Sequence, residues 1–412
     1  MEKKEGKNCY EERIAFLLEQ EDVKRCLTQI QEEEESVLEF QKQIAMIDGP
    51  TFQETPRAKA MEACFSELGL EDVTCDELGN VYGTLYGEDP EATCLPIVIE
   101  AHCDTVFPFG TAGEIRQGNS VLYGPAISDN SRGLAVLYAL VRTFKGNRIR
   151  TKHPIIFLAT VREEGLGGFG GMKFFLETHP ELEAVITLDG PDPDVIVYGG
   201  PGSKTQVLEF SGRGGHAYKA YGVNGNPIHA AIRAMEKIVT LELPSSPRTT
   251  CVISEFHSGN REGIHAIPQT ASLSVNFRSE DQNILNTLSE QIMEAALAGA
   301  SEENSFTGSK DITVTREELV DIKAVTQERT SQMVSSMAAV IKGLGMEPIY
   351  DGNCPTNASA TMGAGVKGIC IGGGGRAGGN HSVQEWFDTK DSYLGVQAAF
   401  LELLLLAEPI FS

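Results

Sequence analysis

Basic residues are scarce in this chain. Across 412 residues, 34 lysines and arginines face 58 aspartates and glutamates, a formal net charge of −24. A nucleic-acid-binding surface needs clustered Lys and Arg, so this balance argues against one. An anionic substrate would need a local basic group to overcome the overall field. Long apolar runs are missing too. The longest candidate, AAFLELLLLAEPIF, is interrupted by Glu402 and Glu408, and a membrane helix needs ~20 consecutive apolar residues. The amino terminus, MEKKEGKNCYEER, lacks the apolar core of a signal peptide. The nine cysteines are scattered, odd in number and contain no C-x-x-C pair. That pattern argues against a disulfide scaffold and against a cysteine-rich zinc site, and it fits a reducing cytoplasm. The expectation is a cytoplasmic protein with neither a membrane nor a nucleic-acid partner.

What is present is a soluble globular composition, 41% hydrophobic and 22% charged. The length exceeds one ordinary core, so two domains are expected. Residues 9–47 read as helical, with the acidic run Glu32–Glu35 as a solvated helix face, and 54–68 as a further helix. VTCDELGNVYGTLYG reads as two strands around a turn at Leu78-Gly79-Asn80. Short apolar runs then alternate with amphipathic helices, which is the pattern of an α/β fold with a mixed, mainly parallel sheet sandwiched by helices. From about Lys204 the rhythm changes to β-α-β-β-α-β, the order of a ferredoxin-like unit. The expected division is a metal-binding domain of residues 1–199 and 318–412, with a second α+β domain, residues 200–317, inserted into it.

The apolar runs end in polar residues of one kind. Ile97-Val98-Ile99 leads to His102 and Asp104, two residues apart, which in extended chain face the same side. HPIIFLATVREEG leads to Glu163 and Glu164, and AVITLDG to Asp189. Asp129 and Asn130 precede the helix LAVLYALVRTF, and GGGGRAGGNHS carries His381. Each has a plain reading when taken alone: a polar strand end for His102, an N-cap for Asp129, exposed carboxylates for Glu163 and Glu164. Together, His102, Asp129, Glu164, Asp189 and His381 come from five segments, mostly at the carboxyl ends of strands, where open α/β sheets place their sites. Two imidazoles and three carboxylates suit two borderline divalent ions such as zinc, with one carboxylate bridging. Asp104 would orient the His102 ring. Glu163, next to a ligand but not itself one, would be the general base.

HCDTV, GPAISDNSRG, VREEG, TLDG and GGNHS resemble the five metal-site motifs of the co-catalytic zinc metallopeptidase family. That family includes carboxypeptidase G, peptidase T, aminoacylase, and the acetylornithine and succinyl-diaminopimelate deacylases. The inserted segment, with SGRGGHAY and VNFRSED, is similar to the family's lid, or dimerisation, domain. The resemblance covers nearly all of the chain beyond the N-terminal helices. It implies His102, Asp129 and Asp189 on one metal and Asp129, Glu164 and His381 on the other, with Asp129 bridging, Glu163 as base and Asp104 as the orienting residue. It further implies that His216 in GGHAY reaches the partner subunit's site in a homodimer and stabilises an oxyanion; the alternative is a loop histidine packed on Tyr218. Arg278 in NFRSE matches an arginine that holds a substrate carboxylate; the alternative is an ion pair with Glu280. His265 stands in HAIP where many relatives have asparagine, which implies a substrate contact. Asn357 in TNAS stands where relatives often carry aspartate. His153, His229 and His257 fit no motif and read as ordinary structural or surface histidines.

The expected activity is hydrolysis of an amide bond in a short peptide by water activated at two divalent ions, zinc first, with cobalt and manganese as alternatives. The same chemistry on an N-acyl amino acid, and a catalytically silent binding protein on this fold, are the competing expectations.

Overall fold

Alternation along the apolar strands decides which face of the main sheet each side chain takes. In the computed structural model, which describes residues 2–89 and 93–411 without the side chains of 2–8, three neighbouring strands share one pattern. Ile97, Ile99 and Ala101, Ile155, Phe157 and Ala159, and Ala184, Ile186 and Leu188 all face the large helical core. Val98, Ile156, Leu158 and Val185 face the other side, against Met172, Phe175 and Leu176 of the Gly170–Thr178 helix. On that second side the residues turn polar toward the strand ends. Val98 is followed by Glu100 and His102, Leu158 by Thr160, and Val185 by Thr187 and then Asp189. One face of one sheet therefore changes from apolar packing to a buried polar floor within two residues per strand.

The chain divides into two compact units, Met1–Gly200 with Thr326–Ser412, and Pro201–Val325. The first contains an eight-stranded sheet in the order Glu71–Cys75, Val81–Leu85, Ile155–Thr160, Ile97–His102, Ala184–Leu188, Gly368–Ile371, Val195–Val197, Ile349–Asp351. The centre is parallel: Ile97–His102 runs with both Ile155–Thr160 and Ala184–Leu188, and the latter with Gly368–Ile371. Antiparallel pairing appears at Glu71–Cys75 with Val81–Leu85, at Val81–Leu85 with Ile155–Thr160, and between Gly368–Ile371 and Val195–Val197. Helices cover both faces, which makes the sheet mixed, mainly parallel and sandwiched. A smaller four-stranded sheet joins the hairpin Arg116–Gly118 and Val121–Tyr123 to Trp386–Asp388 and Arg376–Gly378.

The second unit has four antiparallel strands in the order Thr249–Ser258, Thr270–Ser279, Gly202–Ser211, Thr313–Ile322. Helices Pro227–Val239 and Gln282–Thr307 pack on its apolar face, made of Leu208, Phe210, Leu273, Val275 and Phe277. Gly299 lets the two helices close up: a Cβ there would lie 2.5 Å from the Ala230 carbonyl oxygen. The first strand lies between the third and the fourth, the ferredoxin-like arrangement.

Three local features differ from the sequence reading. Residues 9–47 are not continuous but fall into Glu2–Glu19, Glu21–Glu32 and Glu34–Ala45. The acidic run sits at the last break and is partly used: Glu34 pairs with fully buried Arg132 at 3.2 Å and Glu33 with Arg142 at 2.9 Å. The expected boundary at 317/318 falls inside the strand Thr313–Ile322, an edge strand whose exposed acidic stretch hides its alternation. The short helix Asn357–Gly363 has no counterpart in the sequence reading; Thr356 and Ser359 start it with a capping box. Among the described residues, no helix is long and apolar enough to cross a membrane.

The leucine-rich terminal helix Tyr393–Ala407 is core, and it buries Glu402. Ser336 donates to Glu402 Oε1 at 2.6 Å while Oε2 has no partner. Burial pushes this carboxyl up to about 8. The native state therefore keeps a proton that the unfolded chain releases above its ordinary carboxylate range, so this group's contribution to stability falls as pH rises from about 5 to 8. Glu402→Gln should remove that dependence. Urea unfolding should show the variant gaining on the wild type between pH 5 and 8, by up to on the order of 4 kcal/mol; a constant difference across that range would contradict the account.

Candidate metal centre

Each residue of the cluster is delivered by a different local device. His102 is the last residue of its strand, and Asp189 directly follows Leu188. Asp129 sits one residue before the cap of the Ser131–Asn147 helix. The capping itself falls to Asn130, whose Oδ1 accepts from Gly133 N at 3.0 Å while its Nδ2 donates to the Leu188 carbonyl at 2.8 Å. Asn130 thus ties the helix start to the strand that leads to Asp189, and the Asp129 carboxylate is left for other partners. The Asp129–Asn130 peptide bond is cis. Glycine is required in the His381 loop because backbone meets backbone. A Cβ on Gly374 would lie 2.0 Å from the Ser392 carbonyl oxygen, and one on Gly372 would lie 2.3 Å from that of Asp192.

The side chains converge. The Asp129 carboxylate lies between two imidazoles, with Oδ1 at 3.2 Å from His102 Nε2 and Oδ2 at 3.1 Å from His381 Nε2. His381 Nε2 is also 3.1 Å from Glu164 Oε1. Ligand-type atoms lie within 4.8 Å of one another in three sets: His102, Asp129 and Asp189; Asp129, Glu164 and His381; and His102, Glu163 and Glu164. Glu163 therefore reaches the same space as the five residues singled out in the sequence.

Asp104 holds two of these segments at once. Its Oδ1 accepts from Glu163 N at 2.9 Å, and its Oδ2 accepts from Glu164 N at 2.8 Å and from Thr51 Oγ1 at 3.0 Å. The same carboxylate lies 3.5 Å from His102 Nδ1, and the Asp104 carbonyl oxygen lies 3.0 Å from that nitrogen. The imidazole thus has its Nδ1 turned to Asp104 and its Nε2 to the cluster.

The electrostatics are those of carboxylates crowded without enough positive charge. Burial, reinforced by neighbouring carboxylates, pushes Asp189 up to about 7, Glu164 up to about 6 and Glu163 well above the usual range. His381 is raised to about 9, chiefly by its hydrogen bond with Asp129. For His102, burial pulls down, but Asp104 and Asp129 outweigh it and hold the ring well above its ordinary value. His102 Nε2 is buried, and its 3.2 Å approach to Asp129 Oδ1 lacks hydrogen-bond geometry. Two imidazoles, converging carboxylates and one orphaned buried nitrogen fit borderline divalent cations, which relieve both the repulsion and the missing bond.

Four groups around the cluster escaped the sequence reading. Glu100, with Thr160 and Asn357, forms a buried hydrogen-bonded trio: Asn357 Nδ2 donates to Glu100 Oε2 at 3.1 Å and to Thr160 Oγ1 at 3.0 Å. A charged residue inside an apolar strand, on the same face as His102, was the available signal. Glu54 accepts from Arg162 N at 3.1 Å. Arg376 pairs with Asp192 at 2.8 Å and Asp194 at 3.1 Å, tying the segment after Asp189 to the His381 loop. Glu385 is fully buried and accepts peptide N–H groups from the Asp129 segment. No pattern in a single sequence marks these last three.

The other singled-out residues belong to the second unit. His216 and His265 meet on a two-stranded ribbon, where Gly215–His216 pairs with Ala266–Ile267 and Ala217 N donates to the His265 carbonyl at 2.9 Å. His216 is exposed, and its Nδ1 accepts from Tyr218 N at 3.2 Å. Arg278 is exposed on the strand Thr270–Ser279. Among the described residues it has no ion-pair partner, and Glu280 instead accepts from Arg248 N at 3.0 Å.

Comparison with known proteins agrees with this architecture. The chain is 26% identical over 251 residues to a succinyl-diaminopimelate desuccinylase of Blochmanniella floridana, a match covering 55% of this chain and 64% of that protein. The chain thus spans less than two-thirds of the length of such curated relatives. Its fold is similar to those of aminopeptidase PepT from Bacillus cereus (TM-score 0.71, 19% identity, 91% of this chain and 99% of that one) and a tripeptidase from Staphylococcus aureus (TM-score 0.72, 20% identity, 91% and 99%). Residues 98–406 match the sequence profile of one family from the His102 strand to the terminal helix, and the chain belongs to peptidase family M20/M25/M40.

Proposed function

We propose that the protein is a metal-dependent hydrolase of amide bonds in short peptides. The observation that carries this reading is the convergence of His102, Asp129, Glu164, Asp189 and His381 around the Asp129 carboxylate. One divalent ion would be held by His102, Asp129 and Asp189, and a second by Asp129, Glu164 and His381. Zinc suits this donor set, and cobalt or manganese could replace it. The chemistry that such a pair supplies when bound is a lowered pKa for water and polarisation of a carbonyl. Glu163 takes the proton of the attacking water on a carboxylate oxygen and delivers it to the nitrogen of the leaving amine. Asp104 fixes the His102 ring and, through two peptide N–H groups, the turn that carries Glu163 and Glu164. Deacylation of an N-acyl amino acid at the same site is the second reading, favoured by the desuccinylase relatives.

In this reading the first unit is the catalytic domain and the second a lid and dimerisation domain of a homodimer. His216 supplies an oxyanion donor to the partner's site, Arg278 holds a substrate carboxylate, and His265, beside His216 on the ribbon, contacts substrate. The cysteines are all free thiols, which supports a reducing cytoplasm as the working compartment.

Rates of the metal-loaded protein on dipeptides, tripeptides and N-acyl amino acids, each with a free and a blocked C-terminus, test the substrate class. Fastest turnover of a peptide is expected, and no turnover across the panel would overturn the enzyme reading. Arg278→Ala should raise KM mainly for substrates with a free carboxylate; equal losses on blocked substrates would assign it a structural role.

A mixing experiment tests the base and the shared site together. Glu163→Gln should bind metal normally yet lose on the order of 10²–10⁴ in kcat. His216→Ala should also be nearly inactive. Refolded together, the two should regain part of the activity, because one site of the mixed dimer has both groups. No recovery in demonstrated mixed dimers would remove the shared site, and an active Glu163→Gln enzyme would remove the base assignment.

A further inference from the structure

Glu385 lies outside all three ligand sets, yet it determines how the Asp129 segment is built. Antiparallel pairing of Val121–Tyr123 with Trp386–Asp388 lays residues 124–129 against it. Gly124 N donates to the Glu385 carbonyl at 3.0 Å. The Glu385 side chain then accepts from Ala126 N at 3.2 Å on Oε2, and from Ser128 N at 2.7 Å and Asp129 N at 2.9 Å on Oε1. Among the described residues no Lys or Arg forms an ion pair with this carboxylate, so peptide N–H groups supply its stabilisation. Ala126 is held in the left-handed region at φ 56°, a conformation that persists in a residue with a side chain only where its surroundings fix it.

Two consecutive N–H groups anchored to one oxygen fix the peptide planes on both sides of the Ser128 Cα, and the second of these planes carries the Asp129 Cα. Asn130, held by Gly133 and Leu188, fixes the chain on the other side, so Asp129 stands between two anchored residues. We propose that Glu385 is a positioning residue for Asp129: by holding the backbone of residues 126–129 it sets where the bridging carboxylate stands between His102 and His381, and with it the affinity of the site for a pair of divalent ions. This rests on the reading of Asp129 as the bridging ligand. Glu385 itself touches neither ion nor substrate.

The geometry also defines the variant. In Glu385→Gln the side chain keeps its size but has one acceptor oxygen, and its NH₂ would meet one of the N–H donors head-on. At least one of the three bonds is lost and the loop must shift.

The test compares cobalt binding by metal-free wild type, Glu385→Gln and Glu402→Gln. Glu402→Gln serves as the control, a buried glutamate of the same unit whose partner is Ser336. Competition against a chromogenic chelator gives affinity, and the visible absorption of bound cobalt gives ligand geometry. Glu385→Gln should keep the far-ultraviolet circular dichroism of the wild type, bind cobalt on the order of 10–100-fold more weakly and show an altered cobalt spectrum. Glu402→Gln should match the wild type in both. Wild-type affinity and spectrum in Glu385→Gln would overturn the proposal while leaving the metal site intact. A wild type that takes up no cobalt would instead overturn the metal-site reading on which it rests. Should Glu385→Gln fail to fold, amide exchange in the metal-free wild type decides. Ser128 and Asp129 amides slowed on the order of 100-fold or more relative to free peptide support the anchor, and exchange at the free-peptide rate overturns it.

Discussion

Buried carboxylates that accept peptide N–H groups are the interaction on which this site depends. Asp104 holds the amides of Glu163 and Glu164, Glu54 holds that of Arg162, and Glu385 holds those of Ala126, Ser128 and Asp129. A carboxylate has room for several donors and is stabilised by them in a low-dielectric interior. Loops bearing like-charged side chains toward a common point repel one another, and the anchors are what keep them in register. Carboxyl groups are thus present twice: once facing the cluster, and once behind the loops, where their oxygens orient the backbone.

The strands supply the platform for these anchors. Because alternation sends Val98, Glu100 and His102 to one face and Val185, Thr187 and Asp189 to the same face, the strand ends present polar groups above a floor of Glu100, Thr160 and Asn357. Asn130 then links the start of the Ser131–Asn147 helix to the end of the Ala184–Leu188 strand. Arg132, one residue into that helix, donates to the carbonyls of Gly373 and Ser392 at 2.8 and 2.6 Å and pairs with Glu34. The helix start is therefore fixed to the glycine-rich loop that leads to His381. Removing one partner of such a buried ion pair commonly costs about 3–5 kcal/mol, which makes Arg132 a structural counterpart to the anchors.

Much of this was legible in the sequence, for a physical reason. Strand ends are marked where an apolar run stops, and His102, Glu163, Glu164 and Asp189 all stand just there, so their gathering at one sheet edge could be expected. The β-α-β-β-α-β order carried the second unit because alternation and helix periodicity are local. The anchors were not legible. Glu385 and Glu54 are ordinary acidic residues in their own segments, and their roles come from contacts more than 100 residues away. The run Glu32–Glu35 looked like solvent-facing charge because nothing nearby announces that Arg132 is buried beneath Glu34. The edge strand Thr313–Ile322 runs past the expected boundary because its first seven residues are nearly all exposed, so no apolar alternation marks them.

The proposed bridging role of Asp129 is most directly tested by crystals of the zinc-loaded protein measured at and below the zinc absorption edge. Two anomalous peaks are predicted in each chain, roughly 3.5–4 Å apart, one beside His102 and Asp189 and the other beside Glu164 and His381, with one oxygen of Asp129 on each. A single peak, or two peaks without Asp129 between them, would contradict the account.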